Sequence, residues 1–250
     1  MRKPAFPYRM VQINFRIPFL THSIHILFVA LLQMPSVHAQ RYHFQPAREW
    51  AIGGIGLVHA GVNIPIARST QPLPQIPPAP RHSLNYTYRP QVAHWSDGLI
   101  AAGAIMIPAA VFSNMDVKAG TQAMAVCAQS MLMNLNITKT LKHSIRRPRP
   151  LVFASGTPPD LVYATDARLS FPSGHASTAF CMATSLSLAL RTYEVNPSTR
   201  HWITGGAFAL AGTTAALRVV AGKHYPGDVL AGAALGTGIA LLNHYLHAPR

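Results

Sequence analysis

Phe171-Pro172-Ser173-Gly174-His175 runs straight into an apolar segment, residues 176–190, and how this stretch is read decides the fold. A serine and a glycine in front of a long apolar run mark a helix start. The hydroxyl can cap orphan N–H groups of the first turn, and the helix dipole there favours an anion. The same residues set a hydroxyl, a glycine backbone and an imidazole side by side at the helix mouth. Basic residues flank them on both sides. Lys142-His143-Ser144-Ile145-Arg146-Arg147-Pro148-Arg149-Pro150 precedes them, and Arg218, His224 and Asp228 follow. Cations thus converge from three segments of sequence, as an anionic phosphoryl group would need.

Around this stretch lie apolar segments of helical length with few breakers: 98–112, 119–137, 176–190, 202–221 and 229–246, with a shorter piece at 50–67. No period-2 alternation of any length, internal repeat or glycine-rich nucleotide loop occurs. The expectation is an all-α fold, a helical bundle of about five to six helices embedded in a membrane, with the polar motifs at helix ends. A span usually takes about 20 residues. All the main segments except 98–112 reach or can extend toward that length. Gln122, Gln129 and Asn136 recur every seventh residue, a polar stripe suited to hydrogen bonding between helices. Cys127 and Cys181 sit inside apolar helical segments, where core packing is the expected role rather than a bridge or a metal site.

The 250 residues suffice for one domain. Hydrophobic residues make up 49% and charged residues only 11%, too few for an ordinary soluble surface. The net charge of +14, from 21 Lys+Arg against 7 Asp+Glu, favours anionic partners such as phosphates and lipid headgroups. Nucleic acid fits poorly, because the cations neither line one polar helix nor alternate with aromatics. At the N-terminus, Arg2, Lys3, Arg9 and Arg16 precede an apolar run at 24–32 and the small-residue site Val37-His38-Ala39. Residues 1–39 therefore read as a signal peptide or an uncleaved N-terminal anchor. Residues 40–97 read as an exported, proline-rich region with one short helix, and 98–247 as the main helical domain.

A phosphate ester resists attack because its oxygens are negative. A catalyst must neutralise them, place a nucleophile in line and protonate the leaving oxygen. Lys142, Arg149 and Arg218 offer the cations, and Ser173 and the Gly174 N–H offer hydrogen bonds. His224 and Asp228 stand four residues apart, but Pro226 and Gly227 intervene, so the expectation is a turn with Asp228 near the N-cap of the last helix. A carboxylate on one imidazole nitrogen would fix the tautomer and leave the other as a nucleophile, freeing His175 as general acid. Taken singly, each of these features reads as a plain surface loop, helix cap or structural histidine. Their order and spacing carry the weight.

Lys142 and Arg149-Pro150 seven residues on, then Pro172-Ser173-Gly174-His175, then Arg218, His224 and Asp228 together resemble the three-part motif of the type 2 phosphatidic acid phosphatase/vanadium haloperoxidase superfamily. The resemblance covers 142–228, and the flanking helices extend it to about 98–246. One departure stands at Leu217, where the family often has serine before the arginine of the third motif; it removes a hydroxyl contact to phosphate and bears on substrate preference. The resemblance implies His224 as the phosphohistidine-forming nucleophile, Asp228 as its support and His175 as the acid. Lys142, Arg149, Ser173, Gly174 and Arg218 would hold the phosphate. It implies no metal and no cofactor. A chain this short gives little room for the extra structure of a haloperoxidase.

By helix order all three motifs fall on one side of the bundle. If the N-terminal run crosses and 50–67 lies at the surface, that side is the exterior, the periplasm of a bacterium. The implied function is metal-independent hydrolysis of a phosphomonoester or pyrophosphate, with a phosphorylated lipid as substrate and the membrane as partner. Two alternatives stay open: a soluble periplasmic acid phosphatase acting on small phosphoesters, and a non-catalytic membrane protein that binds anionic lipid.

Overall fold

The computed structural model describes residues 42–69 and 86–248. Residues 1–39, expected to be a signal peptide or anchor, and most of the proline-rich stretch lie outside the described residues. The described chain is all-α. Its helices are α1 (Pro46–Ser69), α2 (Pro90–Phe112), α3 (Val117–Ile145), the single turn α4 (Pro159–Val162), α5 (Gly174–Thr192), α6 (Pro197–Val220) and α7 (Pro226–His247), with 3-10 turns at Pro150–Phe153 and Thr165–Arg168. Two bounds differ from the sequence expectation. The short piece at 50–67 is a 24-residue helix, and α2 starts at Pro90 rather than 98. Proline is favoured at the first helical position, where its missing N–H is not needed, so α2 gains a polar first two turns ending in Ser96 and Asp97.

That extension also changes which helices suit a bilayer. Among the described residues α2, α6 and α7 are long and apolar enough to cross a membrane, so the segment expected to fall short is one of the three. Their outward faces carry exposed Ile105, Met106, Trp202 and Leu242, as on a bundle facing lipid.

The axis of the bundle is α5. Thirteen of its 19 residues are buried, and a helix apolar on all sides belongs inside. It packs on α7, α6, α3 and α2. The α5–α7 contact depends on Gly232 and Gly236, one turn apart. A Cβ would lie 2.4 Å from the Ser173 oxygen at the first and 2.0 Å from the Ser177 oxygen at the second, so only glycine lets the two backbones approach this closely. The polar stripe of α3 bonds between helices as expected: Gln122 accepts from the Tyr193 hydroxyl, Gln129 donates to Glu49, and Asn136 donates to the Gly56 carbonyl. Both cysteines are buried and unbridged.

The main apolar core, including Ile107, Val111, Val126, Leu186 and Leu190, fills the end of the bundle remote from the motifs. A satellite cluster of Leu151, Val152, Val162 and Ala167 packs the segment between α3 and α5. This second cluster matters for the site, because it fixes the loop that carries Arg149 and Asp166.

Candidate active site

Helix ends build the site. α3 stops at Arg146, whose backbone is left-handed (φ 50°, ψ 43°), a conformation costing a non-glycine residue about 1–2 kcal/mol. The chain turns back there, so Lys142, in the last helical turn, and Arg147 and Arg149, just beyond it, belong to one corner. Opposite stands the N-terminus of α5. Its Ser173 is the N-cap, with the hydroxyl accepting from the Ala176 N–H at 3.4 Å and its own N–H donating to the Asp228 carbonyl at 2.8 Å. Arg218 ends α6, and the tight turn through Gly222 (φ +69°) brings His224 and the start of α7 beneath it.

His224 is fully enclosed, and its neighbours assign its proton. Its Nδ1 lies 2.7 Å from the Ser170 carbonyl, which can only accept, and its Nε2 lies 3.1 Å from Nη1 of Arg149, which can only donate. The imidazole therefore carries hydrogen on Nδ1 and a lone pair on Nε2. Burial, then the charges of Arg149, Lys142 and Arg218, hold its pKa well below the ordinary histidine range, so the ring is neutral.

The carboxylate of Asp228 stands elsewhere than the spacing suggested. Its Oδ2 is 3.8 Å from His224 Nδ1, too long for a hydrogen bond. Asp228 is the third residue of α7, and Tyr225 is the N-cap. The buried carboxylate accepts from the Tyr225 N–H at 3.0 Å, the Ser170 hydroxyl, and Arg147 Nη1 at 2.7 Å. The reason is local: with Tyr225 as cap, the third position of the helix folds back onto the cap's own N–H, not onto the preceding histidine.

Arg149 is buried and held from three directions. Its Nε and Nη2 donate to Asp166, and its Nη1 is shared between the Lys223 carbonyl and His224. Asp166 is pushed up by burial, but the Arg149 guanidinium outweighs this and holds it below the usual carboxylate range. Lys142 donates to the Leu169 carbonyl; burial, then Arg149, pulls its pKa down to about 7. Arg218 donates from Nη1 to Ser96 at 2.9 Å and Asp97 at 3.1 Å. Its buried Nε has no acceptor among the described residues and is a donor available to an anion.

His175 sits at the mouth of the site. Its Nε2 lies 2.7 Å from Asp97 Oδ1, which makes Nε2 the protonated nitrogen. Burial, then Arg218, lowers its pKa to about 4, against the opposing pull of Asp97. A cavity of about 470 Å³ opens beside it, lined by Lys139, Lys142, Gly174 and His175 together with Ile100 and Leu135.

All eight residues singled out from the sequence thus belong to one end of the bundle. Asp97, Arg147, Asp166 and Ser170 were not singled out. Asp97 had a signal available: it is one of only seven acidic residues and opens an apolar segment. Arg147 lay inside the first basic group without a spacing to mark it. Asp166 and Ser170 carry no spacing that sets them apart from an ordinary loop. Charge at this end is not balanced. Lys142, Arg147, Arg149, Arg218 and Lys223, with Lys139 on the cavity wall, outnumber Asp97, Asp166 and Asp228, so this end of the bundle favours an anion.

Among known proteins, a lipid A 1-phosphatase of Porphyromonas gingivalis is 34% identical over 77 residues, which is 31% of this chain and 16% of that protein. The chain therefore matches about a sixth of the length of that curated relative. Two solved structures align with a TM-score of 0.45 each. LpxE of Aquifex aeolicus is 22% identical, over 64% of this chain and 88% of that one. A transmembrane PAP2-type phosphatidylglycerolphosphate phosphatase of Bacillus subtilis is 21% identical, over 91% and 96%. The family pattern described as the PAP2 superfamily matches residues 122–250, which include every motif residue built into this site. With more than half its length matched, the chain belongs to the PAP2 superfamily.

Proposed function

We propose that the protein is a metal-independent phosphatase of a phosphorylated membrane lipid, acting through a phosphohistidine on His224. The observation that carries this is the tautomer of His224. Its only lone pair faces Arg149, inside a group of cations. A phosphate dianion drawn to Arg149, Arg218 and Lys142 takes over the Arg149 N–H, and the lone pair so released faces phosphorus. Ser173 and the Gly174 N–H, at the N-terminus of α5, supply further donors.

In the first step the Nε2 lone pair forms a bond to phosphorus, and the electron pair of the breaking P–O bond passes to the leaving oxygen. His175 protonates that oxygen. In the free protein the ring is neutral with its hydrogen on Nε2; the bound phosphate dianion raises its pKa, and Nδ1 of the imidazolium, with Nε2 held by Asp97, then carries the transferable proton. Water then attacks phosphorus with His175 as base, which frees His224 and releases inorganic phosphate.

The lipid part is supported by the cavity, whose lining adds Ile100 and Leu135 to Lys139, Lys142 and His175, and by the three helices suited to a bilayer. The named activity of the Porphyromonas relative points the same way. Leu217 leaves the third motif without a hydroxyl, and the Arg218 Nε donor takes on more of the phosphate contact. The site end of the bundle faces the periplasm in this reading.

The direct test is a rapid acid-free quench with phosphorus-labelled phosphatidic acid. A base-stable, acid-labile label on the wild-type chain, absent from His224→Ala, is expected. Turnover without such a label, or a label that persists in His224→Ala, overturns the assignment.

A further inference from the structure

Ser170 carries three hydrogen bonds that tie all parts of the site together, and no part of it is exposed to solvent. Its N–H donates to the Arg147 carbonyl at 2.9 Å, its carbonyl accepts from His224 Nδ1 at 2.7 Å, and its hydroxyl donates to Asp228 Oδ2. Asp228 is otherwise filled by Arg147 and the Tyr225 N–H, and it stays 3.8 Å from the imidazole. Carboxylate and imidazole are therefore both tied to Ser170 and not to each other.

We propose that Ser170 is a positioning residue for the nucleophile, through which Asp228 acts on His224. The carbonyl keeps the Nδ1 hydrogen in place, so Nε2 keeps its lone pair. The hydroxyl, locked to Asp228, stops the carbonyl from turning away. When Nε2 bonds to phosphorus the ring becomes cationic while retaining its Nδ1 hydrogen. The carbonyl dipole, with the Asp228 charge behind it, then faces the developing charge. Arg147 completes the arrangement. Its side chain holds the other carboxylate oxygen and lies 4.2 Å over the Tyr225 ring, while its carbonyl holds the Ser170 N–H. The chain thus uses an arginine at a variable position inside the first motif and a serine ahead of the second one to orient a histidine in the third.

This rests on the reading of His224 as nucleophile, and the experiment separates the two. Ser170→Ala removes the hydroxyl and leaves the carbonyl. A misplacement on the order of 1 Å at reacting atoms costs about a hundredfold. We expect the rate of phosphoenzyme formation to fall roughly 10- to 100-fold, with KM changed less than about threefold because no phosphate-holding cation is touched. Asp228→Asn should fall similarly, and the double variant should be no worse than Asp228→Asn alone, since residues acting as one unit are not additive. Ser170→Cys, of nearly the same size with a weak donor, should lie between.

Additive losses, or a Ser170→Ala enzyme that forms phosphoenzyme at the wild-type rate, would overturn the proposal. So would a loss expressed in KM with kcat intact, or failure of both Ser170 variants to fold, since each assigns Ser170 a merely structural role. A wild-type protein that forms no phosphoenzyme would instead sink the function proposed above.

Discussion

At the scale of single residues the proposed chemistry rests on His224, held between the Ser170 carbonyl and Arg149. Asp97 is the partner of both His175 and Arg218, and it raises the His175 pKa against burial. Asp97→Asn removes that pull, so less of His175 is protonated at any pH. A positioned proton donor is worth about 10²–10⁴-fold, and we expect kcat to fall roughly tenfold or more, recovering in part as pH is lowered. An unchanged pH–rate profile would remove Asp97 from the account. Lys142 gives a second handle. The ammonium is the form that grips phosphate in this reading, and its pKa in the free protein is about 7, so the decline of kcat/KM that begins at the lower pKa of His175 should steepen above about pH 7. Lys142→Arg, which does not titrate in this range, should remove the steepening; a wild-type profile with no steeper limb up to about pH 9 would contradict this. His175, His224 and the three motif cations could be singled out because their order and spacing resemble the family's three-part motif, and the structure brings them to one end of the bundle. The Asp228 contact was not, because a spacing of four residues across Pro226-Gly227 does not say which neighbour a carboxylate will choose. That choice was made by the Tyr225 N–H, the Ser170 hydroxyl and Arg147.

At the scale of elements, helices whose apolar runs were long were legible, and helices whose ends are polar were not. The start of α2 at Pro90 was hidden because Gln91, His94, Ser96 and Asp97 look like loop until their roles as helix N-terminus and site wall are known. The close contact of α5 and α7 was likewise invisible. Gly232 and Gly236 carry no mark of their own in an apolar segment, yet they are where the two backbones meet. Gly236→Ala would push a methyl onto the Ser177 carbonyl. Overpacking of this kind costs about 1–3 kcal/mol or more, and thermal unfolding in detergent should show a clear fall in Tm. An unchanged Tm would mean that the pair is looser than its geometry implies. Gly238, with open space around it, is the matched control. Because the Ser173 carbonyl faces Gly232, the same packing that holds α5 to α7 holds the second motif against the third.

For the whole molecule, the bundle separates two kinds of chemistry. An apolar core occupies one end and a cluster of cations the other, among helices of which three suit a bilayer. With the site end toward the periplasm, the last residues of α7 emerge on the opposite face, and a reporter fused after Arg250 should behave as cytoplasmic. A periplasmic signal from that fusion would reverse the orientation. The protein should also stay with membranes through alkaline extraction, and washing off would favour the soluble alternative. The most direct measurement of the central claim is inorganic phosphate released by the purified, reconstituted protein from long-chain phosphatidic acid, a polyprenyl pyrophosphate and a short soluble phosphoester, each with and without chelator. The account predicts release from a lipid substrate that chelator leaves intact and His224→Ala abolishes. Release that chelator abolishes, or that survives in His224→Ala, would contradict it.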